Sequence, residues 1–244
     1  MTSTDTLAQQ FAQFPLDSGS HSRSSGALCV MECVAYVAGV AHTDHPTCAC
    51  PVITEVVTHV NDFSTPAVRA ALASRVLRLA GSRGDAEVTK NRAFFLVDFL
   101  LRRALPPALS KLDDAAPPSL AGAFTALAGA LTALPPICAP EDLLAANTLV
   151  ARIPRDAKFG TDHLTSGAEI RDRLEKLRFR LFEELYQIAA FNVTDLVIDL
   201  GVEVDYLPLV DALLDIGSTP ALDVTPEVAG RIAVLANRKR PVPR

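Results

Sequence analysis

Between positions 170 and 188 the apolar residues Ile170, Leu174, Leu177, Leu181, Leu185 and Ile188 recur at spacings of four, three, four, four and three. Only a helix of about 3.6 residues per turn places such positions on one side. A strand would scatter them over both faces of a sheet, so this stretch reads as a helix lying on a core. The same period runs through most of the chain. Val68, Leu72, Val76 and Leu79 share a face before Gly81, and Leu120, Phe124, Leu127, Leu131 and Leu134 share another. The expected fold class is all-α: a compact multi-helix domain of seven to nine helices with little or no β structure.

Local start and stop signals divide this pattern. A first helix runs from near Ser25 to Gly39, which suits the left-handed position just past a helix. Pro51 opens a second at its first turn, with Ile53, Val57 and Val60 on one side. A third starts after Thr65-Pro66 and continues to Gly81. A fourth spans about Asp85 to Leu105 and is expected to stop at Pro106 and Pro107, which lack backbone donors. Ser166 and Glu169 stand at capping-box spacing and open the long helix described first. Val193 to Leu200 fits strand or helix. Short helices follow at Leu207 to Ile216 and from Thr225-Pro226 to Ala236. These divisions suggest a flexible arm (1–24), a first helical module (25–105), a second module packed on it or continuous with it (106–236), and a basic tail (237–244). The proline- and alanine-rich segment 105–140 is the expected seam.

Composition narrows the function classes. The chain has 244 residues, 49% of them hydrophobic, and no tryptophan. Its core must rest on Leu, Val and Ala. The mean hydropathy of +0.24 points to an apolar surface for a homo-oligomer or a protein partner. A net charge of −5 argues against nucleic acid, except through the basic C-terminal tail NRKRPVPR. No basic segment followed by an apolar run opens the chain, and no apolar stretch is long enough to span a bilayer. The expectation is a cytoplasmic protein with no membrane partner, whose five cysteines are thiols or metal ligands rather than disulfides. P-loop, dinucleotide-binding glycine and H-E-x-x-H patterns are absent, which removes support for nucleotide-driven chemistry. Arg171, Arg173, Lys176, Arg178 and Arg180 interleave with Glu175, Glu183 and Glu184, as on a solvated helix face. Asp98 and Arg102, four residues apart, are expected to pair.

Chemistry concentrates in CVMECVAYVAGVAHTDHPTCACP, residues 29–51. At 100° per residue, Cys29, Glu32, Cys33 and Tyr36 fall within about 100° of one another, apart from Val30, Met31, Val34 and Val37. The following loop brings His42, Asp44, His45, Cys48 and Cys50, with Cys50 at the N-cap of the second helix. Helical C-x3-C and C-x-C can together supply four thiolates to Zn²⁺, and His42 and His45 can replace two of them. The candidate metal ligands are thus Cys29, Cys33, His42, His45, Cys48 and Cys50, the cofactor is zinc, and Glu32 and Asp44 would orient histidines. Used catalytically, the same pocket would rest on Cys29, Glu32 and His45: a metal-activated water with Glu32 as base, or attack by Cys29. Cysteine also packs as a small apolar group, which is the structural alternative.

Three resemblances attach to these residues. His42-x-Asp44-His45 resembles part of the H-x-H-x-D-H metal motif of metallo-β-lactamases, with Val40 where the first histidine would stand. SSGALCVMECVAYVAG is similar, over some sixteen residues, to the way papain-like peptidases seat their nucleophile. Those families present a histidine from a downstream sheet, whereas His59 falls on the second helix here and His163 in a loop. Finally, GSHSRSSGALCVMECVAYVAGVAHTDHPTCACPVI, with LRLAGSRGD and NRAFFLVDFLLR, resembles an uncharacterised helical family of GC-rich actinobacterial genomes and their phages. That resemblance covers roughly residues 18–105 and implies one module there, with no established activity. The functional expectation is a helical binding or assembly protein with a Cys/His site that holds zinc; the competing one is an enzyme using that pocket.

Overall fold

The computed structural model describes residues 16–113, 122–155, 157–159 and 165–237. In chain order the helices are α1 (Val30–Ala38), α2 (Pro51–Phe63), α3 (Pro66–Ala73), α4 (Val76–Ala80), α5 (Ala86–Phe99) and α6 (Leu105–Asp113). Then come α7 (Ala123–Thr132), α8 (Leu143–Val150), α9 (Gly167–Phe182), α10 (Tyr186–Asp199), α11 (Tyr206–Asp215) and α12 (Pro226–Ala236). The fold is all-α, with more helices than the seven to nine expected. Among the described residues the β structure is one antiparallel pair, β1 (Lys158–Phe159) with β2 (Thr165–Ser166). No helix of the described residues is long and apolar enough to cross a membrane.

The chain forms two compact units. One holds everything up to Thr89 together with Tyr206 onward; the other runs from Lys90 to Asp205. The division therefore falls inside α5 and before α11. Long-range polar contacts that periodicity does not encode account for the return of the last two helices. Arg75 grips Asp211 bidentately, Nε to Oδ1 at 2.8 Å and Nη2 to Oδ2 at 2.5 Å, and Arg78 reaches Asp215 at 2.5 Å. Leu222 N–H donates to the Leu77 carbonyl at 2.9 Å, and Arg231 Nε donates to the Val37 carbonyl at 2.9 Å. The last contact sets a cation at the negative end of α1.

In this first unit α1 is buried nearly all round, including Val30, Met31, Glu32, Cys33, Val34, Ala35 and Val37. It packs against α2, α4 and α12. A short helix with this burial is held by its packing, each enclosed Val or Met being worth about 1.5–3 kcal/mol. The ends are set locally. Cys29 is the N-cap, so α1 starts later than the sequence suggested, and Gly39 closes it at φ 74°. Thr65 and Thr225 cap α3 and α12 with their hydroxyls, each followed by proline. The third expected helix breaks at Ser74-Arg75 into α3 and α4.

The second unit shows why Pro106 and Pro107 do not end a helix. A π-helical stretch, Leu100–Ala104, follows α5, and Leu105 N–H donates to the Leu100 carbonyl. Both prolines then follow directly on the π-helical stretch, at the second and third positions of α6. Asp98 accepts from Arg102 at 2.7 Å, the expected pair, and from Ile137 N–H at 2.9 Å. Ser166 and Glu169 form the expected capping box of α9. The core stripe of that helix ends at Leu181, however. The chain turns through Glu183 and Glu184, the latter at φ 58°, so Leu185 and Ile188 leave the stripe and are exposed. Residues 193–199 are helical, within α10.

Candidate functional site

The Cys29-to-Glu32 spacing is that of a capping box, with cysteine in the place of serine. The Cys29 Sγ accepts from Glu32 N–H at 3.4 Å, and Cys29 N–H donates to Glu32 Oε2 at 2.8 Å. Two orphan donors of the helix start are thereby satisfied reciprocally. Burial pushes the Cys29 thiol up to about 12, aided by the neighbouring Glu32 carboxylate and opposed by backbone hydrogen bonds. Burial thus disfavours the thiolate form.

Glu32 is 1% exposed and is the centre of a clasp. Its Oε1 accepts from His21 N–H at 2.5 Å, and its Oε2 meets His21 Nδ1 at 3.1 Å. His42 Nε2 donates to the His21 carbonyl at 2.7 Å and stands 3.6 Å from Glu32 Oε1. Further bonds pin the same segment to the end of α2. Gly19 N–H donates to Asp62 Oδ1 at 2.7 Å, Asn61 Nδ2 to the Asp17 carbonyl at 2.9 Å, and Val30 N–H to Asn61 Oδ1 at 3.2 Å. Residues 17–21, expected to belong to a flexible arm, are thus tied down; 1–15 lie outside the described residues. A carboxylate has about four acceptor sites, and those of Glu32 are almost fully taken by the chain itself. That leaves little of it to act as a base toward water.

His45 belongs to a different set. Its Nδ1 faces Asp44 Oδ1 at 2.9 Å and its Nε2 faces Glu55 Oε1 at 3.3 Å. His42 and His45 thus stand near different carboxylates, Glu32 and Asp44 respectively. Partial burial works against the His45 imidazolium, yet the hydrogen bond and charge of Asp44, with Glu55, raise its pKa above the ordinary value of 6.5. Because the folded-state pKa is raised, this pairing stabilises below the unfolded pKa and is lost as pH rises through the folded one. An NMR titration is expected to place the His45 midpoint above 6.5, and Asp44→Asn to bring it back down.

Cys48 and Cys50 are fixed from a third direction. Cys50 N–H donates to Ser82 Oγ at 2.9 Å, and Arg83 N–H donates to the Cys48 carbonyl at 3.2 Å. Cys50 is the N-cap of α2, as expected, but its side chain makes no capping bond there. Cys33 and Cys50 are fully buried, and half-burial raises the Cys48 thiol above its ordinary value. Among the described residues, which include all six candidate ligands, no three His, Cys, Asp or Glu side chains form a group that could hold a metal ion.

His21, just upstream of Cys29 and within reach of it on sequence, bonds its capping partner Glu32 instead; sequence reasoning missed Asn61 and Ser82 as organisers of this region. The C-x-x-E capping spacing was the available signal for the Cys29–Glu32 pair, but nothing local links His21 to Glu32 across eleven positions. No protein-family model, curated protein or solved structure matches the chain.

Proposed function

We propose that the chain is a helical binding or assembly protein whose Cys/His-rich segment is a structural clasp rather than a reaction centre. The observation that supports this reading is the engagement of Glu32. Its carboxylate accepts from two backbone amides and lies against His21, while Cys29 serves as a helix cap. A group so occupied fixes the segment 17–29 to α1 and α2, and with them the shape of the first unit. The large apolar side chains exposed on α9 and α10 support the binding half of the reading.

Thiol counting with a chromogenic disulfide, alongside elemental analysis of tag-free protein, tests it. Cys138 is exposed and is expected to react at once, half-buried Cys48 more slowly, and Cys29, Cys33 and Cys50 only after denaturation. The expected metal content is well below one per chain. A hyper-reactive thiol at position 29, or one bound zinc per chain, would instead favour the catalytic or metal-centred alternative.

A further inference from the structure

The α9–α10 hairpin carries apolar groups where a solvated surface should be polar. Phe179 is 54% exposed and Phe182 66%, with Leu185 at the turn and Ile188 and Phe191 on α10 also exposed. On α9 the buried stripe Ile170, Leu174, Leu177 and Leu181 defines the inner side, and at 100° per residue Phe179 points almost directly away from it. The ion pairs of Arg173 with Asp195 (3.3 Å) and Asp199 (2.7 Å) identify which side of α10 shares this outer face, and Ile188 and Phe191 lie on it. Aromatic side chains bury 150–250 Å² each when enclosed, so the five groups present roughly 450 Å² of apolar area. That is about the apolar share of the ~800 Å² each partner buries in a standard interface.

Resting on the reading of the chain as a binding protein, we propose that this face docks a second copy of the chain about a twofold axis crossing α9 near Leu181. The charges around the aromatics select that occupant. The stretch Arg178-Phe179-Arg180-Leu181-Phe182-Glu183-Glu184 has basic residues before its centre and acidic ones after it. Arg180 lies over the Phe179 ring and, among the described residues, faces no carboxylate; Glu183 and Glu184 face no cation. An antiparallel copy of α9 sets Phe179 of each chain beside Phe182 of the other. On the neighbouring side of the helix it sets Arg180 beside Glu183, twice over, and brings Ile188 against its own copy. Each copy meets the other with the same surface, as a twofold contact requires. An anionic lipid surface would be repelled by Glu183 and Glu184, and a partner of one charge sign would leave half the ring of charges unmatched.

Sedimentation equilibrium of the full chain between 1 and 100 μM tests this. The expected mass approaches twice 26.0 kDa at the upper concentrations. Phe179→Ser with Phe182→Ser is expected to weaken association at least 100-fold while leaving the far-UV circular dichroism unchanged. Arg180→Glu alone should weaken it about tenfold, and adding Glu183→Arg in the same chain should restore it, a rescue that only a self-paired face gives. A wild-type chain monomeric at 100 μM overturns the proposal, even if it binds vesicles or another protein. So does a phenylalanine double variant that keeps the dimer mass. Neither result bears on thiol reactivity or metal content, so the clasp stands or falls separately.

Discussion

Replacing Glu32 with alanine is expected to lower the unfolding free energy by about 3–5 kcal/mol, a large part of the 5–15 kcal/mol typical of a folded protein. The carboxylate is 1% exposed and serves Cys29 N–H, His21 N–H and His21 Nδ1. Alanine removes the acceptor and leaves those donors without partners in a dry setting, at about 1–3 kcal/mol each. It also removes a negative charge from the first turn of α1, where the helix dipole favours one. Glu32→Gln keeps the volume but turns an amide N–H₂ toward the same donors, so it should recover only part of the loss. Denaturant unfolding of the three proteins measures this directly. Cys29→Ser is the informative companion. Serine is the usual residue at that position of a capping box, and the variant should stay within about 1 kcal/mol of wild type.

Gly81→Ala is the second large effect, and its origin is contact rather than hydrogen bonding. The backbone of Gly81 has φ −95°, which any residue adopts. The conflict is spatial. A Cβ there would run into the Pro220 carbonyl oxygen and lie 2.9 Å from Leu222 N and 3.0 Å from the Ala221 carbonyl carbon. All three are main-chain atoms, and Leu222 N–H is committed to the Leu77 carbonyl. A rotamer change cannot relieve the overlap, so the segment 220–222 must lift away from α4. The expected cost is about 3 kcal/mol or more, at the upper end of overpacking effects. Gly230→Ala supplies the opposite sign. That glycine sits within α12, and a Cβ there would meet nothing within 4 Å. Removing the backbone freedom of glycine from a helix interior should stabilise by about 0.5–1 kcal/mol. Thermal unfolding of the two variants should therefore move in opposite directions.

The features legible in the sequence are those that act within a few residues. Thr65-Pro66, Thr225-Pro226, Ser166 with Glu169, Pro51 and Gly39 mark real helix ends, because a cap or a left-handed stop is a local event. The core stripe Ile170, Leu174, Leu177 and Leu181 is likewise fixed by helix geometry alone. Periodicity misleads where spacing persists through a turn. Leu185 and Ile188 continue the count of four and three, yet Glu184 at φ 58° has already redirected the chain. Pro106 and Pro107 mislead in the other direction, since the π-helical stretch before them lets helix resume. Contacts between distant positions left no local trace. Arg231 on Val37, Arg75 on Asp211 and His21 on Glu32 span 194, 136 and 11 positions. Arg92 is fully buried although its neighbours look like an ordinary polar turn of helix. The site followed the same rule. The residue types of 29–50 are legible, but which carboxylate each histidine meets depends on how the loop folds back.

Amide hydrogen exchange at His21 and Cys29, followed residue by residue by NMR, tests the clasp most directly. Both amides donate to the buried Glu32 carboxylate. They are expected to exchange orders of magnitude more slowly than unstructured amides and to lose that protection together, selectively, in Glu32→Ala. Unprotected exchange at His21 in the wild-type protein, with Cys29 still slow, would mean that Glu32 caps its own helix and holds nothing else.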